Sequence, residues 1–159
     1  MSKTLTTLLL CLLASSALAL EPGERLAPWT LLDQYDQPYT LDNQVQVLLV
    51  ARDMDGAKLI DAALQGQPKG YLEQRHVVFL ADISRMPSII GTLFAIPKMR
   101  DYHYRILLDR DARIAPRYPV ESASVLWLDL RQGQLQGQRR FSDASELARA
   151  LAGLGSHHQ

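Results

Sequence analysis

Apolar residues in this chain come in short unbroken runs separated by polar turns, and the runs alternate with stretches of helical spacing. Val45-Gln46-Val47-Leu48-Leu49-Val50-Ala51 and His76-Val77-Val78-Phe79-Leu80-Ala81-Asp82 are too continuous for strands with one wet face. They predict strands covered on both sides, as in a parallel sheet. Arg105-Ile106-Leu107-Leu108-Asp109 and Ser124-Val125-Leu126-Trp127-Leu128-Asp129 predict a third and a fourth. Between them, Asp53 to Gly56 reads as a turn, and residues 57–65 read as a short helix closed by Gly66, followed by a polar loop to Gly70. Met86, Ile89, Ile90, Leu93 and Phe94 keep helical spacing, and Pro97 predicts the stop of that helix.

The ends of the pattern are simpler. Residues 26–32, a polar turn from Asp33 to Pro38 and Tyr39-Thr40-Leu41 predict a hairpin. Arg131-Gln132-Gly133 turns the fourth strand into an edge partner over residues 134–139. Asp143-x-x-Glu146 has the form of a capping box, and Leu147, Leu151 and Leu154 line one face of a terminal helix. No repeat or low-complexity linker interrupts this order, so residues 20–159 are read as one domain with its core over about 29–154. Strands alternating with helices and ending in a hairpin and a helix predict an α/β sandwich with a central mixed sheet flanked by helices.

The first nineteen residues belong to a different pattern. Lys3 is followed by a nearly continuous apolar run, Leu5 to Leu13, and then by Ala17-Leu18-Ala19. A basic start, a short apolar stretch and an A-x-A site predict a signal peptide cleaved after Ala19, and the run is short for a membrane span. A lipoprotein signal would use Cys11, but Leu10 stands where a small residue is expected. The expected location is therefore periplasmic or secreted, with no membrane span after cleavage. Cys11 is the sole cysteine of the 159 residues, so the processed chain would contain none. That excludes thiol redox chemistry, thiolate nucleophiles, disulfides and cysteine metal sites in it. Seventeen basic residues balance seventeen acidic ones without a long run of either, which argues against a nucleic-acid binder.

The order Ile106-Leu107-Leu108-Asp109, then Tyr118-Pro119-Val120, then Ser124 to Asp129, Gly133 and a last helix resembles the thioredoxin-like superfamily, in its peroxiredoxin and secreted thiol-reductase branch. The likeness spans about Trp29 to Leu154. It also extends to small secreted thioredoxin-like proteins that lack the redox pair, with Glu121-Ser122-Ala123-Ser124 before the penultimate strand. The resemblance implies a C-x-x-C or a single reactive cysteine at a helix N-terminus after the first long strand. The matching stretch here is Arg52-Asp53-Met54-Asp55-Gly56-Ala57-Lys58, which holds no cysteine. It also implies a cis-proline before the strand beside that motif, and strand alignment puts Ala123 there.

The same residues bear on other chemistries. Asp53-Met54-Asp55-Gly56 has the carboxylate spacing of an aspartyl-nucleophile phosphatase, but Ala57 replaces the threonine and Asp109-Arg110-Asp111 does not complete the set. Asp53, Asp55, Asp82 and Asp109 approach the carboxyl ends of the predicted strands, where a polar ligand or divalent cation would bind, although aspartates there commonly cap turns and helices. His157 and His158 lie in a polar tail, His76 opens a strand and His103 follows Met99 by four residues, a weak basis for copper. No G-x-G-x-x-G follows a strand, so no flavin or nicotinamide site is expected, and no cofactor of any kind.

Two readings remain. The first is a non-enzymatic, redox-inactive thioredoxin-like module binding an unidentified protein or small ligand at Asp53, Met54, Asp55, Ser122, Ala123 and Ser124. The alternative is a metal- or phosphate-handling protein using carboxylates at the same edge.

Overall fold

The four apolar runs become the centre of a seven-stranded mixed sheet. The computed structural model describes residues 20–155; the segment expected to be a signal peptide and His157 and His158 lie outside the described residues. The elements are β1 (Thr30–Asp33), β2 (Pro38–Thr40), β3 (Val47–Ala51), α1 (Met54–Ala63), α2 (Tyr71–Gln74), β4 (Val77–Asp82), α3 (Ser88–Ile90), a π-turn (Gly91–Ala95), α4 (Ile96–Met99), β5 (Leu107–Asp109), a 3-10 turn (Ala115–Arg117), β6 (Val125–Arg131), β7 (Gln134–Phe141) and α5 (Ala144–Leu154). The strand order is β2-β1-β5-β4-β3-β6-β7. β3, β4 and β5 are parallel to one another, whereas β1, β2, β6 and β7 pair antiparallel.

Continuous apolar strands are required because both faces of the sheet are covered. Val47, Leu49 and Ala51 of β3 face one core with Val77, Phe79, Val125 and Trp127, under α1 and α5. Leu48 and Val50 face the other core with Leu80, Leu107, Leu126 and Leu128, under the N-terminal segment and the 3-10 turn. Alternate side chains of one strand point to opposite faces, so each strand serves both cores. A fully buried leucine such as Leu147 or Leu151 contributes roughly 2 kcal/mol by its removal from water. α5 starts where the capping pattern predicts, with Asp143 Oδ1 accepting from the Glu146 N–H at 2.9 Å.

Two expectations are corrected, and one short helix is added where the pattern assigned nothing. Asp53 to Gly56 is not a free turn: α1 begins at Met54, because Asp53 caps it and saves a turn of helix from fraying. The stretch after Gly70 forms the short helix α2, anchored by buried Tyr71 and Leu72. Pro97 does not stop its helix, which runs on to Met99. Proline has no N–H for an i→i−4 bond, and the chain widens just before it: the Ile96 N–H donates to the Gly91 carbonyl, five residues back.

Candidate functional site

The sequence-derived site sits at the carboxyl end of β3, and its organising residue is Asp53. Its backbone is extended, while both carboxylate oxygens accept backbone hydrogen bonds. Oδ1 accepts from the Gly56 N–H at 2.7 Å, capping α1. Oδ2 accepts from the Ala123 N–H at 2.8 Å, across seventy positions of sequence. The carboxylate therefore braces the first turn of α1 against the turn that precedes β6. A negative charge at a helix N-terminus is itself favourable, because the end peptide dipoles point their positive ends there.

The contact is close enough to dictate a glycine. A Cβ added to Gly56 would lie 2.5 Å from the Ser124 carbonyl oxygen, inside any real carbon–oxygen contact. Opposite it, Ala123 has φ +53°, a left-handed conformation that costs an alanine roughly 1 kcal/mol. The Ser124 hydroxyl donates to the Glu121 carbonyl at 2.7 Å and Glu121 pairs with Arg140 of β7, so the turn is held from three directions.

The six singled-out residues thus divide into two groups. Asp53, Ala123 and Ser124 are brought together and hold each other in place. Met54, Asp55 and Ser122 are exposed at the same edge, with Met54 59% accessible and Asp55 only loosely paired to Lys58 at 3.6 Å. The first turn of α1, where the resemblance locates redox cysteines, is Met54-Asp55-Gly56-Ala57. Its end is occupied by the Asp53 carboxylate, so the dipole that lowers a thiol pKa elsewhere is already matched here.

The other strand-end aspartates are engaged as well. Asp82 Oδ2 lies 3.2 Å from Arg52 Nε, and Asp82 Oδ1 accepts from the Ser84 hydroxyl at 2.6 Å and the Ser84 N–H at 3.0 Å. Burial works to raise its pKa, but the Ser84 hydrogen bonds and Arg52 outweigh that and hold the carboxyl below the usual aspartate value. Asp109 is fully buried and accepts from the N–H groups of Arg113, Ile114 and Ala115. Among the described residues, no group of three or more His, Cys, Asp or Glu is arranged to hold a metal ion. Of the histidines, His103 lies with Nε2 3.1 Å from the Leu64 carbonyl. His76 lines a groove of about 710 Å³ near Asn43, Asp129 and Arg131, by the opposite ends of β3 and β6.

The sequence reading missed two features, one at this edge and one at the opposite end of the parallel strands. The Arg52–Asp82 pair joins the ends of β3 and β4, and only the parallel register reveals it. Gln34, buried in the β1–β2 turn, donates to the Tyr104 carbonyl at 2.8 Å and accepts from the Ile106 N–H at 2.9 Å, which secures the approach to β5. A lone glutamine in a polar turn carries no signal for such a role.

No family model matches the chain. A comparison with curated proteins finds no match either. Solved structures do resemble it. A candidate thiol:disulfide interchange protein DsbE from Chlorobium tepidum superposes with a TM-score of 0.57 at 17% identity, covering 86% of this chain and 100% of that one. Peroxidoxin BcpB from Mycobacterium tuberculosis gives 0.57 at 14% identity, over 89% and 100%. A SCO1/SenC family lipoprotein from Bacillus anthracis gives 0.51 at 14%, over 87% and 100%. The fold is therefore thioredoxin-like, carried here on described residues that include no cysteine. No helix among the described residues is long and apolar enough to cross a membrane.

Proposed function

We propose that this protein is a redox-inactive, thioredoxin-like binding module, exported to the periplasm or beyond, and not an enzyme. The observation that carries the reading is the Asp53 brace. A carboxylate fills the helix end that thiol chemistry needs, and it fixes the Ser122–Ser124 turn beside it. What this edge offers to solvent is a contact surface: Met54 projects from it, flanked by Asp55, Lys58, Ser122 and Ala123. An exposed methionine is a flexible, polarisable anchor suited to protein or small-ligand contact.

A photoreactive amino acid placed at Met54 tests this in the producing cell. The expected result is one discrete adduct at position 54 that is absent when the same group replaces Gln136 on β7. Absence of any position-specific adduct, or thiol reductase or peroxidase turnover by the pure protein, overturns the proposal. The export component is checked by intact mass of the isolated protein, expected to match residues 20–159; a mass that retains the first nineteen residues overturns that part.

A further inference from the structure

The helical run 88–99 shows apolar side chains on both of its sides. Gly91 and Ile96 are buried and Met99 packs on the core, so this side faces the sheet. Ile89, Ile90, Leu93 and Phe94 face outward, 64%, 44%, 59% and 65% exposed, and Pro97 is exposed on the same side. They are four of the seven exposed large hydrophobic residues among the described residues. A surface helix normally turns polar groups outward, and a contiguous exposed apolar face of this kind marks a binding surface.

Charge says what covers it. Residues 83–100 contain three basic side chains, Arg85, Lys98 and Arg100, and no acidic one, in a chain of zero formal net charge. Arg85 and Lys98 flank the two ends of the run and have no ion-pair partner among the described residues. Arg100 is paired with Asp36, whose carboxylate is also paired with Arg110, so that acid is neutralised from two sides. Asp101 follows just beyond the run, and Tyr35, half exposed, donates its hydroxyl to the Arg100 carbonyl at the same end.

We propose that this face is a membrane-surface anchor: Ile89, Ile90, Leu93, Phe94 and Pro97 enter the headgroup boundary of an anionic bilayer, and Arg85 and Lys98 meet its phosphates. An apolar stripe rimmed by cations is the arrangement of a helix that lies in the interface. The run is far too short to span, so this segment would lie on the lipid surface. This surface is separate from the Asp53 edge and stands or falls independently of the function proposed for it.

The test uses the full chain with Cys11→Ser and Ile90→Cys, labelled at position 90 with an environment-sensitive dye. Vesicles containing phosphatidylglycerol are expected to shift the emission to the blue. Pure phosphatidylcholine should do so weakly, and a label at Gln136→Cys should not respond. Leu93→Glu with Phe94→Glu is expected to weaken the titration at least about thirtyfold, and Lys98→Gln about fivefold. Both variants alter exposed side chains, and unchanged circular dichroism confirms their folding. The proposal is overturned if position 90 stays in water while the chain floats with the vesicles, or if charged and neutral lipid act alike. It is also overturned if the shift appears without lipid and grows with protein concentration to a doubled mass, which identifies a second copy as the occupant.

Discussion

At the scale of single residues, one carboxylate ties a helix end to a distant turn. Asp53 removes two backbone donors from competition with water, one in α1 and one in the turn before β6. Asp53→Ala is expected to cost about 2 kcal/mol in urea unfolding, from the lost cap and the orphaned Ala123 N–H; Asn restores part of it. The facing positions predict opposite signs. Gly56→Ala forces a methyl against the Ser124 carbonyl and destabilises by about 2 kcal/mol or more, whereas Ala123→Gly relieves a left-handed φ and is neutral or stabilising by up to about 1 kcal/mol. Equal destabilisation by both would show that the two sides are not in contact. Asp82 gives the pH dependence. Its folded pKa is depressed, so its contribution is present above the unfolded value near pH 4 and is lost as pH falls through the lower folded value. Asp82→Asn should therefore flatten the fall of stability below about pH 4, read from urea midpoints across that range. In the sequence Asp53 is legible as a strand-end turn-former, which half of its role confirms; its bond to Ala123 depends on a contact seventy positions away that no local pattern carries.

At the scale of elements, the unbroken apolar runs tell strand from helix because the two-faced burial of β3, β4 and β6 confines polar residues to the strand ends. The pattern tells less about helix limits. The Pro97 stop fails because a widened turn absorbs the missing hydrogen bond, and widening of this kind has no sequence signature apart from the proline itself. Nor does spacing choose a face when a helix is apolar on two sides. Gly91 and Ile96 turn to the sheet, while Leu93 and Phe94 turn away. The cost of truncation distinguishes them: Ile96→Ala should destabilise by about 2–4 kcal/mol, and Leu93→Ala by less than about 0.5 kcal/mol. Thermal or urea unfolding of the two variants reads this directly, and similar losses at both positions would place Leu93 in the core.

At the scale of the whole molecule, the thioredoxin-like sheet persists although nothing in residues 20–155 supplies a thiol, because the sheet depends on two apolar cores and not on the helix end that carries chemistry elsewhere. The architecture was legible for that reason: apolar runs, turns and the final capping box are all core or backbone signals. The candidate site was legible only in position. Its geometry predicts how thiols would behave if they were put back. In a chain with Met54→Cys, Ala57→Cys and Cys11→Ser, the thiol at position 54 would sit on a helix N-terminus whose dipole is already matched by Asp53, with that carboxylate next to it in sequence. A neighbouring negative charge disfavours a thiolate, so its pKa is expected to stay at or above the ordinary value of about 8.5. Adding Asp53→Ala frees the helix end and should lower it by about one unit, measured from the pH dependence of iodoacetamide alkylation in chains shown to remain folded. A thiol at position 54 already reactive below neutral pH with Asp53 intact would mean that the carboxylate does not govern this helix end, and that the loss of cysteine alone separates this chain from redox-active proteins of its fold.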